Sequence, residues 1–208
     1  MNVKINIPTS LKDITLKQYQ KWLKISENND DENFLKQKMI ETFCNVPLKT
    51  VLMMKVKDID SIIESINKIF KEKPKFIPKF NYNDLDFGFI PKLDEITFGE
   101  YIDLDNYLSE WEQMHKAMGV LYRPVMYKRK DKYLIEDYET SDKYDMQNVS
   151  LDVVFSALVF FYNLRNELQK HILNYLATQE EIDIPQYLRD SLANGVGTKA
   201  FMQLPKGI

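Results

Sequence analysis

One nine-residue stretch occurs twice in this chain, at Leu11–Tyr19 and again at Leu93–Tyr101. Leu, Ile, Thr and Tyr recur at the same positions of both copies. A threonine followed three residues later by Gln or Glu is a capping box, in which the two side chains bind free amides at a helix start. The sequence therefore predicts that two helices begin here, capped by Thr15 and Gln18 in the first copy and by Thr97 and Glu100 in the second.

The similarity of the two copies extends to the segments that follow them. Each copy leads into a second helix, then an X-Pro break, and then a longer helix. This order predicts two tandem, diverged helical units packed together, over residues 1–75 and 76–193, with an extended C-terminal arm over 194–208. The alternative is that two unrelated helix starts converged on one local signature, since Ser, Thr and Glu are common at helix starts.

Hydrophobic periodicity predicts a mainly α-helical fold with small β-hairpins, which is an α+β class. Helices are predicted over residues 16–25, 32–43, 58–70, 98–107, 111–121, 151–178 and 185–192, with one or two helical turns over 48–54. Short alternating stretches predict a strand over 3–7 and two hairpins, formed by 79–82 with 85–89 and by 125–128 with 132–135.

The charge, the cysteine count and the longest apolar block exclude several functional classes. The net charge is −3, whereas a general nucleic-acid binder is usually basic. Cys44 is the one cysteine, which excludes an intramolecular disulfide and a cysteine-based metal cluster. The apolar block over 153–164 is shorter than the roughly 20 residues of a membrane span. We therefore expect neither a membrane partner nor sequence-specific binding of nucleic acid.

No residue pattern indicates a catalytic or cofactor-binding site. His115 and His171 lie on different predicted helices, each without a second ligand at metal-binding spacing. Cys44 lies among apolar residues and is expected to be a buried, inert thiol. The carboxylates lie at spacings typical of solvated helix faces, and the chain has no glycine-rich phosphate loop. We therefore expect no enzyme activity, no catalytic residue, no cofactor and no metal.

Two groups of residues predict protein interfaces instead. Cations on the second hairpin suit the acidic face of a neighbouring subunit, with phosphate or plain solvent as alternatives. These cations are Lys128, Arg129, Lys130 and Lys132. The C-terminal arm carries apolar side chains on a strip that cannot form a core of its own, namely Phe201, Met202 and Leu204.

The long helix that begins at residue 151 has apolar residues on nearly all sides of its first half. A helix that is apolar all round is buried. This pattern predicts burial in the centre of the fold or against copies of the same chain.

The two copies and the segments after them resemble proteins encoded in the tail-gene region of tailed bacteriophages, including crAss-like phages of gut Bacteroidetes. The matching segments are Ile14–Tyr19, Asn45–Pro47 and Asp58–Asp60 in the first half, and Ile96–Leu104, Met114–Lys116 and Leu121–Pro124 in the second. The resemblance covers most of the chain to about Leu176. It implies a role in building the neck or tail, through contacts with other tail or neck proteins and with copies of the chain, and it carries over no catalytic residue.

Three kinds of function follow from this resemblance. The first is a non-catalytic virion protein of the head–tail connector or of a tail ring, assembled in the host cytoplasm. A closed ring repeats one heterologous interface by rotation, which suits a subunit with two unlike halves. The second is a cytoplasmic tail assembly chaperone that is absent from the finished particle. The third and weaker one is an enzyme or cargo protein ejected with the genome.

Overall fold

The computed structural model of this protein describes residues 5–130 and 132–178, and leaves out the side chains of residue 165 and of residues 168–178. Within these ranges, helices combine with one small antiparallel sheet, which confirms the predicted α+β class. The helices are α1 (Leu16–Ser26), α2 (Glu32–Phe43), α3 (Leu48–Val51), α4 (Val56–Phe70), α5 (Phe98–Tyr107), α6 (Met114–Leu121) and α7 (Leu151–Thr178). The strands are β1 (Lys79–Tyr82), β2 (Leu85–Phe89), β3 (Tyr122–Arg129) and β4 (Lys132–Ile135). The predicted helix over 185–192 lies outside the described residues.

Both predicted capping boxes are present. Thr15 Oγ1 accepts from the amide of Gln18 at 3.2 Å, and the Gln18 side chain accepts from the Thr15 amide at 2.9 Å. At the start of α5, Thr97 and Glu100 exchange the same two hydrogen bonds, at 3.3 and 2.6 Å. A 3-10 helix precedes each box, over Leu11–Asp13 and over Leu93–Glu95.

The third helical residue of each box makes a second bond that reaches the end of the following helix. Gln18 Nε2 donates to the carbonyl of Thr42, near the end of α2, at 2.8 Å. Glu100 Oε1 lies 2.6 Å from Nη2 of Arg123, just after α6. In both halves, the side chain at the third helical position therefore connects the first helix to the end of the second. The connection is a hydrogen bond from a neutral amide in the first half and an ion pair in the second half. Such shared geometry is what a duplication predicts.

The two predicted hairpins join into one sheet with the strand order β1-β2-β3-β4. The β1–β2 turn uses Asn83 and Asp84, both with positive φ, which suits a tight hairpin turn. The joining pair is β2–β3, in which Gly88 lies opposite Arg123. Helix α6 passes directly into β3, so that Arg123 is a strand residue and not part of a loop after the helix.

The predicted N-terminal strand is wrong over the part that the structure describes. Residues 5–7 form no strand, because neither edge of the sheet pairs with them. Ile5 is half-buried against the core and Ile7 is exposed. Alternation of apolar and polar residues therefore reflects partial burial here, without a ladder of backbone hydrogen bonds.

One hydrophobic core serves both predicted units. The Tyr19 ring in α1 packs at 5.6 Å from Phe70, at 5.1 Å from Trp111 and at 5.4 Å from Phe155. These partners lie on α4, on the segment before α6 and on α7. The two units are thus packed together around Tyr19, whose burial raises the pKa of its hydroxyl.

Helix α7 is buried only over its first two turns. Side chains from residue 153 to 157 are buried and those from 158 to 161 are half-buried, whereas Tyr162 and Leu164 are exposed. Burial in the centre of the fold therefore extends only to Phe161, because α7 extends past the elements that cover its start, and burial against copies of the chain stays a prediction.

Candidate protein-interaction surface

The second hairpin presents all four predicted interface cations to solvent. The side chains of Lys128, Arg129, Lys130 and Lys132 are exposed around the turn between β3 and β4. Lys130 has a positive φ of 54°, as the tight turn requires. No carboxylate within residues 5–130 and 132–178 forms an ion pair with any of them. The sequence prediction therefore places these charges correctly on one hairpin.

The same hairpin exposes large apolar side chains, which the sequence analysis did not select. Met126, Tyr127 and Leu134 are all more than half exposed. A β-bulge between Val125 and Tyr127 shifts the register there. We call the side chains of Met126–Lys130, Lys132 and Leu134 the hairpin surface. Protein interfaces combine exposed apolar side chains with charged ones, and the hairpin surface has both. Cations that only bind a small anion or face solvent would need no exposed apolar neighbours, so this mixture favours a protein contact.

A groove of about 940 Å³ lies beside the hairpin surface. One wall is β4 with the residues after it, and the other is the segment from Ile90 to Glu100 that leads into α5. Three aromatic rings close its apolar end, with centroids 4.6 Å apart for Phe76 and Phe160 and 5.0 Å apart for Phe76 and Phe89. Strand β4 is an edge of the sheet, and an open strand edge beside an apolar groove suits an extended segment of another protein.

Gly88 positions β4 against this groove. A Cβ atom on Gly88 would lie 2.5 Å from Cε2 of Tyr133, so only glycine lets this ring lie against β2. The Tyr133 hydroxyl then donates to the carbonyl of Phe89 at 2.8 Å. A side chain of β4 thus crosses β3 and fastens the edge strand to the middle of the sheet.

A buried ion pair lies at the polar end of the groove. The side chains of Glu100 and Arg123 are only 4% and 9% exposed, and both line the groove. Arg123 lies 5.6 Å from the ring of Tyr138, and its Nε atom has no hydrogen-bond partner among the described residues. Burying two charges is costly unless they pair, and this ion pair links the start of α5 to β3.

Tyr138 connects the groove to the next turn of α5. Its hydroxyl donates to the carboxylate of Asp103, and burial together with this carboxylate raises the pKa of the Tyr138 hydroxyl. Tyr138 therefore stays neutral over the physiological range and acts as a hydrogen-bond donor. These contacts hold the side chains of Tyr138, Arg123 and Glu100 in place at the polar end of the groove.

The remaining predicted candidates lie away from the groove or outside the description. Cys44 is buried at the end of α2, and burial raises the pKa of its thiol to about 11. His115 Nδ1 lies 3.4 Å from Nε2 of Gln20, and the His171 side chain is outside the described residues. The arm residues Phe201, Met202 and Leu204 also lie outside them. Within the described ranges, no three His, Cys, Asp or Glu side chains lie close enough together to hold a metal ion.

The sequence analysis missed the groove because its walls come from distant segments. One signal was present: the second capping box has Glu100 where the first has Gln18. A buried carboxylate needs a cation, even when one of its oxygens accepts the capping hydrogen bond. Arg123, just after the next helix, is that cation.

No protein family, curated protein or solved structure matches this chain. Among the described helices, none is both long and apolar enough to cross a membrane.

Proposed function

We propose that this chain is a non-catalytic structural protein of a tailed bacteriophage virion, a component of the head–tail connector or of a tail ring. It acts through protein–protein interfaces, with copies of itself and with other tail or neck proteins as partners. The observation that carries this proposal is the hairpin surface, where unpaired cations and exposed apolar side chains lie beside an aromatic groove. The resemblance of both capping-box segments to phage tail-region proteins supports it.

The hairpin surface favours a protein partner of opposite charge. Complementary charge steers association and sets register, while apolar side chains supply the stabilising contact. The turn between α1 and α2 offers such a complement, because its carboxylates lie at the surface. They belong to Glu27, Asp30 and Asp31, and they are followed by Glu32, the first residue of α2, which pairs with Lys36 at 2.8 Å.

A contact between these two surfaces would join unlike faces of neighbouring copies. The acidic turn belongs to the first predicted unit and the hairpin surface to the second. An interface of this heterologous kind generates a ring when the rotation closes. We therefore expect the hairpin surface of one copy to meet the acidic turn of the next.

Mass spectrometry of purified particles tests the virion role. Peptides of this chain present in multiple, stoichiometric copies per particle are the expected result. If the chain is absent from particles and binds unassembled tail polypeptides in lysate, it is an assembly chaperone instead.

A charge-swap experiment tests the contact itself. The variant K128E/K130E is expected to stay folded, because both side chains are exposed, and to lose oligomers in native mass spectrometry. The matched control K71E/K73E changes two exposed lysines just after α4 by the same charge and should assemble normally.

A rescue variant tests whether the acidic turn is the surface that the hairpin surface contacts. Adding E27K/D30K to K128E/K130E should restore assembly if the acidic turn is the complement. Failure of this rescue, or normal assembly of K128E/K130E, would refute the proposed contact.

A further inference from the structure

A second surface that combines exposed apolar side chains with cations lies where α3 leads into α4. Val51 is buried and anchors the short helix α3, whereas the side chains that follow it turn to solvent. Leu52, Met53 and Val56 are 61%, 73% and 74% exposed. We call this surface the α3–α4 corner. It also includes three exposed lysines, namely Lys49, Lys55 and Lys57.

The lysines of the α3–α4 corner are not neutralised by the described part of the chain. No carboxylate within residues 5–130 and 132–178 forms an ion pair with any of the three, although Asp58 follows them in the first turn of α4. The corner follows Pro47 as the hairpin surface follows Pro124, so both halves of the chain present such a surface after their X-Pro break. Exposed apolar side chains mark a contact site, and the cations favour a partner that carries carboxylates.

Helix α5 has a second apolar face that the fold leaves in solvent. Its core side is formed by Leu104, which is 6% exposed. Phe98, Tyr101 and Ile102 are 77%, 55% and 41% exposed, and their spacing of three and four residues places them together on another side of the helix. We call the side chains of Phe98, Tyr101, Ile102 and Asp105 the outer face of α5. A surface helix normally has one apolar face, so this second one is available to a partner.

The first half of the chain shows how the equivalent position is covered when the fold itself covers it. Tyr19 of α1 is 2% exposed, because the rings of Phe70, Trp111 and Phe155 pack around it. Tyr101 has the same place in α5 and is 55% exposed. The same position of the repeat is therefore filled from within the chain in one half and left open in the other.

Carboxylates accompany the outer face of α5. Asp105 lies four residues after Tyr101, and Asp94 lies just before the helix. Both are exposed, and neither pairs with a cation in the part of the chain that the structure describes, whereas Glu95 pairs with Lys92. The outer face of α5 and the α3–α4 corner thus have apolar centres of similar size with charges of opposite sign beside them.

We propose that the α3–α4 corner of one copy packs against the outer face of α5 of a neighbouring copy. The apolar side chains form the centre of this contact, where methionine and aromatic residues are favoured, and the lysines face the carboxylates at its rim. The contact joins the first half of one copy to the second half of the next. It is therefore heterologous and repeats around a ring when the rotation closes.

This contact is compatible with the proposed contact of the hairpin surface. The acidic turn and the α3–α4 corner lie at the two ends of α2, a helix of 12 residues that is about 18 Å long. The hairpin surface and the start of α5 lie on the two walls of the groove. One neighbour placed across the groove can therefore make both contacts. The inference rests on the proposed function, because it requires an assembly of copies.

Cross-linking between two variants that each add one cysteine tests the contact in the full-length chain. M53C and F98C are co-expressed, with a tag on one of them, and treated with a short bismaleimide. We expect a mixed covalent dimer on denaturing electrophoresis, because the corner of one copy lies against the outer face of the other. L85C with F98C is the control, since Leu85 is also exposed but lies outside the corner, and the native Cys44 is buried.

The other outcomes of cross-linking overturn the proposal. No mixed dimer, or equal yields from the two mixtures, would refute the contact. Covalent dimers of F98C alone at the same yield would show that the outer faces of two α5 helices meet each other instead. Sedimentation of the chain with vesicles containing phosphatidylserine, lost in K55E/K57E while assembly is unchanged, would assign the corner to a membrane surface and refute the contact.

Charge reversal tests the rim without a linker. K55E/K57E should lose oligomers in native mass spectrometry and keep the circular-dichroism spectrum of the wild type, because both lysines are exposed. K71E/K73E is again the matched control and should assemble normally. Adding D94K/D105K to K55E/K57E should restore assembly. Failure of this rescue, or normal assembly of K55E/K57E, would contradict the inference.

The two proposals fail separately. A chain that occurs in particles but gives no mixed dimer of M53C with F98C keeps the virion role and loses this contact. A mixed dimer from a chain that is absent from particles keeps the contact and refutes the virion role.

Discussion

Replacing Glu100 by Gln separates the two tasks of this side chain. One carboxylate oxygen accepts from the Thr97 amide, and the other pairs with Arg123 at 2.6 Å. Glutamine keeps the shape and can still cap the helix, as Gln18 does at α1. It cannot neutralise Arg123, so E100Q isolates the ion pair from the cap.

The expected cost follows from burial. Breaking a buried ion pair by removing one partner destabilises by about 3–5 kcal/mol, because the other charge is left uncompensated. Arg123 retains the face of the Tyr138 ring at 5.6 Å, and a cation–π contact of this kind offsets about 1 kcal/mol. We therefore expect E100Q to lower the free energy of unfolding by about 3 kcal/mol.

Chemical denaturation of four proteins measures this value. The unfolding free energies of wild type, E100Q, R123M and E100Q/R123M, followed by circular dichroism, give a double-mutant cycle. The double variant removes both charges and should recover most of the loss, with a coupling energy of at least about 2 kcal/mol. E100Q within about 0.5 kcal/mol of wild type, or additive single effects, would refute the reasoning.

Three further predictions follow from single sites. Thr97→Ala removes an N-cap acceptor and should cost about 1 kcal/mol in chemical denaturation, and a change within error would remove the capping assignment. Gly88→Ala places a Cβ 2.5 Å from the Tyr133 ring and should cost about 1–3 kcal/mol. The control Gly99→Ala, with no heavy atom within 4 Å of its Cβ, should be neutral or stabilising by up to about 1 kcal/mol, and equal effects of the two would contradict the packing argument. With a thiol pKa of about 11, Cys44 is about one part in a thousand thiolate at pH 8, against about one in four for a free cysteine. Its alkylation in the native protein should therefore be at least about a hundredfold slower than in urea, and similar rates would show that the thiol is accessible.

Local signals in the sequence predicted the helices and hairpins well. Helix α2 begins at Glu32 and ends at Phe43, as its periodicity predicts, because Asp31 caps its start through the amides of Asn33 and Phe34. The two capping boxes were also predictable, since each uses side chains only three residues apart. Interactions of this range do not depend on the rest of the fold.

Alternation of apolar and polar residues predicted strands less reliably than capping residues predicted helix starts. The stretch before Pro8 has the same period as β1, but Ile5–Ile7 form no strand. A strand needs a partner, and the partner is chosen by the whole sheet. The hairpin cations were predictable as one group because they are neighbours in sequence, whereas the groove is not, since it is built from segments that meet only after folding.

What the sequence alone determined is where helices begin, which residues cap them and which charges share the hairpin, because each depends on atoms a few residues apart. What only the tertiary structure decided is which of the two similar helix starts is covered. Leu16 is buried because residues 147–151 lie over it, and Phe98 is exposed because no described segment does. Burial depends on what the rest of the chain brings to a surface, so one of two similar stretches becomes part of the core and the other stays an exposed helix start.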